Sequence, residues 1–232
     1  RLTGPFLATG VTSEFFVIMT FLIIFRLLFE RVKWVRHGLM ALLVMDLGLL
    51  IATGNRGGFL VLIGGSLVFL WLFRKELGVQ RVVQLLTAGI VMLSLASAIV
   101  INYTDFDRLY SRLSDTTFEE GIPDTRQNAW PKAWARIKES PVFGHGPRFQ
   151  MEGAFRGKRY PGYEFQNYPH NLYLFLLATI GVVGLIAFMA MIATPLIRCW
   201  RTAAIPNLGI EYLAFAKTGV VIMIVFLVDQ LK

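Results

Sequence analysis

Gln166-Asn-Tyr-Pro-His170-Asn-Leu-Tyr-Leu-Phe175 begins as a polar, aromatic loop and passes into an apolar run that continues with little interruption to Ile197. A run of that length reads as a membrane-spanning helix, because a hydrocarbon core of about 30 Å needs roughly 20 apolar residues. Pro169 ends the loop and Asn171 starts the helix, which puts His170 at the mouth of the span rather than in lipid. Further apolar segments of similar character lie at about Phe15–Phe29, Gly38–Thr53, Gly57–Phe73, Val82–Ile101 and Leu208–Val228. With 55% hydrophobic residues and a mean hydropathy of +0.58, the chain is more apolar than soluble domains, which hold about 45–50%. The expected fold is an all-α, polytopic transmembrane helical bundle with a long, partly helical loop, since in lipid a spanning segment must satisfy its own backbone groups.

Charge sets the orientation. Arg31, Lys33 and Arg36 share one short loop, Arg74, Lys75 and Arg81 a second, and Arg198 and Arg201 a third, so these three are expected on the cytoplasmic side. The opposite side receives Arg56 in the turn Gly54-Asn55-Arg56-Gly57, together with the segment from about 102 to 169, which is long enough to escape the charge rule. In a bacterium that side is the periplasm, and the protein is placed in the inner membrane. The domain reading is transmembrane helices with a periplasmic arginine turn over 1–101, a periplasmic lid with its own helix over 102–170, and transmembrane helices over 171–232. The net charge of +8 follows from cytoplasmic anchoring against anionic lipid headgroups, and nucleic acid need not be invoked. The chain begins at Arg1 without a methionine or a signal-peptide pattern, so it is expected to be a piece of a longer protein. Cys199 cannot form a disulfide within the chain, having no second cysteine.

Within the loop, Asp124-Thr-Arg126-Gln127 reads as a helix cap with glutamine at the third position. It opens a helix to about Glu139 with Ala129, Trp130, Ala133, Trp134 and Ile137 on one face. Pro131 should kink that helix or confine its regular part to the C-terminal side, and Ser140-Pro141 should end it. Turn-rich, aromatic stretches follow at Gly144–Pro147 and Tyr160–Tyr168.

The chemistry-bearing residues each admit two readings. Arg56, in Asn-Arg-Gly-Gly at a helix mouth, either forks onto the phosphate oxygens of a lipid diphosphate or is a snorkelling interfacial arginine. Arg126 either joins it or is a solvated charge on an amphipathic helix. His170, with an ordinary pKa of about 6.5, is a general base at neutral pH or a hydrogen-bonded interfacial histidine. Tyr160, Tyr163, Phe165 and Tyr168 either stack on sugar rings or pack the lid. His145 is the weaker histidine, and His37 belongs to a cytoplasmic loop. Asp105-Phe-Asp107 resembles an acidic pair that holds a divalent ion, but no metal-ligand spacing joins the histidines, and no metal or cofactor is expected. Asp46, inside an apolar segment, is read as hydrogen-bonded to a neighbouring helix. Arg26 is read as snorkelling, and Glu211 and Lys217 as anchors of a cytoplasmic helix end.

These residues together resemble the O-antigen ligase and polymerase superfamily of bacterial envelope glycosyltransferases. Asn55-Arg56-Gly57-Gly58 is similar to the family's Ser-Arg-Gly-Gly element, and Arg126 with Trp130, Ala133 and Trp134 to its loop helix. Pro141-Val-Phe-Gly144-His-Gly146 resembles a Pro-x-x-Gly-x-Gly turn, His170-Asn171-Leu-Tyr173-Leu174 a His-Asn-x-Tyr-Leu signature, and Arg1-Leu-Thr-Gly4 an Arg-x-x-Gly element. Two positions depart from the pattern. Leu7-Ala-Thr-Gly10 replaces an Asn-Pro-Asn-like stretch, and Thr179 stands where a glutamate often precedes Gly-x-x-Gly.

The resemblance implies an inverting, metal-independent transferase that moves a glycan from undecaprenyl diphosphate to a sugar hydroxyl. That hydroxyl lies on lipid A-core in ligases and on another glycan in polymerases. It further implies that Arg56 and Arg126, with Arg1, hold the diphosphate and that His170 activates the acceptor. A rival reading is a transporter or flippase for an anionic lipid-linked glycan, with the same arginines lining its path. Transporter sites sit near the midplane between repeats, whereas these residues fall at one surface and no repeat is visible.

Overall fold

Uninterrupted apolar residues fold as helices in this chain because the helix satisfies every backbone group within one segment. A computed structural model describes residues 9–103, 118–119, 122–123, 129–146, 169 and 171–231. Its helices are α1 (Thr9–Phe29), α2 (Lys33–Thr53), α3 (Arg56–Tyr103), α4 (Ala129–Glu139), α5 (Leu172–Ala203) and α6 (Ile210–Asp229). Between α3 and α4 a two-residue antiparallel pair joins β1 (Phe118–Glu119) to β2 (Ile122–Pro123), with Phe118 opposite Pro123. The fold is all-α. Among the described residues five helices are long and apolar enough to cross a membrane: Gly10–Phe29, Lys33–Thr53, Arg56–Glu76, Leu172–Ala203 and Ile210–Asp229. The sixth expected span, Val82–Ile101, is helical as the second part of α3. The basic loop expected before it is also helical and broken only at Gly78, since Arg74, Lys75, Glu76, Gln80 and Arg81 are good helix formers.

The chain divides into two compact units, Arg1–Leu113 with Leu196–Asp229, and Ser114–Pro195 with Gln230–Lys232. In the first, α1, α2, α3 and α6 pack around Val17, Phe21, Leu50, Val61, Phe69, Phe73, Val221 and Val225. Phe69 stacks on Phe21 at 6.1 Å and on Phe73 at 4.4 Å. Asp46 is buried as a hydrogen-bond acceptor, taking a 2.7 Å bond from the Thr20 hydroxyl of α1. That is the interhelical bond expected for it. Arg26 remains largely exposed and pairs with Glu30 one turn on, at 2.7 Å.

Lys217 differs from expectation. It is buried, and its ammonium donates to Glu76 at 2.7 Å and to the Leu72 carbonyl at 2.6 Å, while lying over the Phe73 ring. Facing the interior of the bundle, it ties α6 to α3, because a buried ammonium persists only where charge and hydrogen bonds replace its water.

In the second unit α4 lies against α5 through Ala133, Ile137, Leu174 and Ala178, with Trp130 and Leu177 at the margin. The expected buried face is narrower than the sequence indicated, since Trp134 is 48% exposed. Pro131 sits in the first turn of α4, where no intrahelical N–H is lost. The start expected at Asp124 lies outside the described residues. Glu139 ends the helix, as Ser140-Pro141 requires.

Candidate active site

Thr53, Gly54 and Asn55 make the sharp corner that delivers Arg56. Gly54 closes α2 in the left-handed conformation and donates to the Ile51 carbonyl at 2.9 Å. Thr53, fully buried, donates to the Leu50 carbonyl at 2.7 Å and accepts from the Asn55 N–H at 3.3 Å. The Asn55 side chain then does two jobs. Its Oδ1 accepts from the Gly57 N–H at 3.1 Å, capping α3, and its Nδ2 donates to the Ser13 hydroxyl of α1 at 2.7 Å. Ser13 passes the chain on to the Gly10 carbonyl at 2.8 Å.

This network leaves Arg56, half-buried, as the first residue of α3. Among the described residues no carboxylate forms an ion pair with it. A cation at a helix N-terminus opposes the helix dipole, so an anion bound there gains from both the guanidinium and the helix end. The space beside Gly58 is not open to a ligand, because a Cβ there would stand 3.0 Å from the Ser13 Cβ and 3.3 Å from Leu50 Cδ1.

His170 itself lies outside the described residues, but both of its neighbours are fixed. Before it, the Pro169 carbonyl accepts from the Trp130 indole N–H at 2.8 Å. After it, Asn171 caps α5 by accepting from the Leu174 N–H at 3.0 Å, and its Nδ2 donates to the Leu231 carbonyl at 3.0 Å. The Leu172 N–H reaches the Gln230 carbonyl at 3.1 Å. Asn171 is buried, so each of these bonds replaces water that burial removed.

Further along α5 the helix breaks at Gly181, whose φ of 66° and ψ of −170° are closed to residues with a Cβ. A break at this point strands backbone groups, and the Pro141–Gly146 turn satisfies them. The His145 and Gly146 N–H groups donate to the Ala178 and Thr179 carbonyls at 3.0 and 2.7 Å. Those of Val182 and Val183 donate to the Pro141 and Val142 carbonyls at 2.9 and 3.3 Å. The fit is tight from both sides: a Cβ on Gly181 would overlap the Val142 carbonyl, and one on Gly144 the Thr179 carbonyl. Thr179 is buried, and its hydroxyl donates to the Phe175 carbonyl at 2.8 Å. His145 is committed to structure, its Nε2 donating to the Arg136 carbonyl at 2.9 Å.

Of the residues singled out in the sequence, Arg56 is described, whereas Arg1, Arg126, Tyr160, Tyr163, Phe165, Tyr168, Asp105, Asp107 and His170 lie outside the described residues. The sequence reading missed Ser13, Trp130 as a donor, and the second role of Asn171. Asn55 before a helix start carries a cap signal, but a bond to Ser13, 42 residues away, has no local signature. Among the described residues no three His, Cys, Asp or Glu side chains group as a metal site.

The sequence model of the O-antigen ligase family matches residues 41–189, which take in the Arg56 corner, α4, the Pro141–Gly146 turn, Pro169–Asn171 and the Gly181 break. The chain belongs to the O-antigen ligase family. Comparison with curated proteins and with solved structures gives no match. As an O-antigen ligase family member it is a multi-pass membrane protein and a glycosyltransferase-type enzyme of the ligase and polymerase class. The family works between a lipid-linked glycan and a glycan acceptor.

Proposed function

We propose that this protein transfers a glycan from undecaprenyl diphosphate to a sugar hydroxyl of lipid A-core, at the periplasmic face of the inner membrane, with inversion and without a metal ion. The acceptor hydroxyl gives its proton to the neutral imidazole of His170 as its oxygen attacks the anomeric carbon from the face opposite the diphosphate. The bond from that carbon to the phosphate oxygen breaks, and the diphosphate leaves with the electron pair. Arg56 and Arg126, with Arg1, hold the charge that develops on it, as the guanidinium fork suits phosphate oxygens. Tyr160, Tyr163 and Tyr168 stack on the sugars.

The observation that carries this reading is the bracketing of His170, inside the family match, by two tethered neighbours, Pro169 and Asn171. A general base must hold a fixed position to be effective, and a histidine that merely decorates an interface needs no such tethers. The Gly181 break favours a transferase over a transporter, because its stranded carbonyls and N–H groups are taken by the protein's own turn and are not offered to a cargo.

Full-length protein in membranes, supplied with a lipid-diphosphate glycan, tests the reading. His170→Ala should cut turnover by about 10²–10⁴-fold, the usual range for a general base, with donor binding retained. Arg56→Lys should weaken donor binding and turnover together, because an ammonium keeps the charge but loses the fork. Near wild-type transfer by His170→Ala removes the base assignment. Product on a second glycan rather than on lipid A-core makes the protein a polymerase.

A further inference from the structure

Pro141–Gly146 carries two apolar side chains at its tip that the described residues leave uncovered: Val142 is 50% exposed and Phe143 75%. The turn is fastened by backbone bonds to α5 between Ala178 and Val183, so its depth is the depth of that part of the helix. From Gly181 to Pro195, the end of α5 within this unit, the helix covers about 21 Å at ~1.5 Å per residue, and the apolar run continues in sequence to Ile197, before the first basic residue, Arg198. Gly181 therefore stands near the edge of a hydrocarbon core of about 30 Å.

The surface of α5 changes character at the same level. No residue from Leu172 to Thr179 is exposed. From there on Ile180, Val182, Val183 and Ile186 are, at 36 to 63%. On the other side of the turn, α4 exposes Lys132, Arg136 and Lys138 with Trp134, and Glu139, which pairs with Arg136 at 3.1 Å, neutralises one of the three cations. Tryptophan among basic residues is the pattern of headgroup level, and bare aliphatic and phenyl groups that of the acyl chains.

We propose that the Pro141–Gly146 turn is a membrane-dipping wedge. Val142 and Phe143 enter the acyl-chain edge of the outer leaflet in continuity with Ile180, Val182, Val183 and Ile186, while Lys132 and Lys138 of α4 face anionic headgroups. The partner is the lipid bilayer itself. The wedge is independent of the transferase chemistry, and it makes part of the long loop a membrane-bound element rather than a segment in water.

Depth-resolved quenching tests it. The full-length protein, with Cys199→Ala to remove its one cysteine in the present chain, takes a single cysteine at Val142, Phe143, Lys138 or Ile186 and a bimane label. It is reconstituted in nanodiscs of phosphatidylcholine and phosphatidylglycerol. Labels at Val142, Phe143 and Ile186 should be quenched several-fold more strongly by bromine on the acyl chains than the label at Lys138, and several-fold less by aqueous iodide. Lys132→Glu with Lys138→Glu should reduce acyl quenching at Phe143, more so with phosphatidylglycerol present. The wedge is overturned if iodide reaches Val142 and Phe143 as readily as Lys138, which places the turn in water. It is equally overturned if neither quencher reaches them, which means that protein covers them. Acyl quenching that ignores the charge reversal removes the headgroup contact from the proposal.

Discussion

Two corners of this molecule are held by opposite means. The Gly54–Gly57 corner, which presents Arg56, is fixed by side chains: Asn55 caps α3 and grips Ser13, and Thr53 ties off α2. The Pro141–Gly146 turn is fixed chiefly by backbone, with four N–H···O bonds to a break in α5 and glycines where the two segments meet, to which the Ser140 hydroxyl on the Gly144 carbonyl and His145 Nε2 on the Arg136 carbonyl add. A side-chain network can be weakened one bond at a time and tuned. A backbone graft stands or falls with its glycines and is indifferent to most of its side chains. The difference suits the roles proposed for them, one corner orienting a charged group and the other keeping stranded peptide groups satisfied at membrane depth.

The largest effect should come from Gly181→Ala or Gly144→Ala. Each forces a Cβ onto a carbonyl and a positive φ onto an L residue, and the backbone conformation alone costs about 1–3 kcal/mol. Displacing the turn adds unpaired peptide groups, each worth several kcal/mol in lipid. The yield of monodisperse, detergent-extracted protein should collapse. Normal yield and melting temperature for both variants would mean that the graft is not a constraint.

Asn55→Ala comes next, expected to destabilise by about 1–2 kcal/mol through loss of a helix cap. It should also weaken donor binding, since Arg56 loses the corner that points it. Asn55→Asp separates the two roles: the cap survives, while the Ser13 tie can reform only by turning the Ser13 hydroxyl from the Gly10 carbonyl to the carboxylate, so stability should recover further than affinity. Equal recovery of both would show that the Ser13 tie does not orient Arg56.

Trp130→Phe keeps most of the ring and deletes the bond to Pro169, worth about 0.5–1.5 kcal/mol of stability. Its sharper consequence is on turnover, which should fall with donor affinity unchanged if His170 is held through its neighbour. A matched loss in both would reduce Trp130 to packing.

His145→Ala should do least. It removes a bond from Nε2 to the Arg136 carbonyl but leaves the His145 N–H on Ala178, so a change within about 1 kcal/mol is expected. A large loss would show that a side chain holds this turn as firmly as its backbone does, and the contrast between the two corners would fail.

The all-α membrane fold was legible from the sequence because each span is a local property: length and apolarity decide it without reference to any partner. The interhelical bond of Asp46 was legible as well, because a carboxylate within lipid must find a donor, although nothing local named Thr20. The chemistry expected of Arg56 and His170 rested on residue type and motif, which spacing along the chain can carry. Other features were decided only by tertiary structure. Lys217 looked like a surface anchor, and burial against Glu76 and the Leu72 carbonyl made it a strut, since whether a lysine meets water depends on which helix lies beside it. Trp134 lay on the apolar face by periodicity, yet α5 packs against Ala133 and Ile137, with Trp130 at the margin, and Trp134 stays exposed. A Pro-x-x-Gly-x-Gly stretch and a glycine inside an apolar run are both plain in sequence. That they dock, each filling the hydrogen bonds the other strands, is a pairing of residues some forty positions apart, and only the folded chain brings them into register.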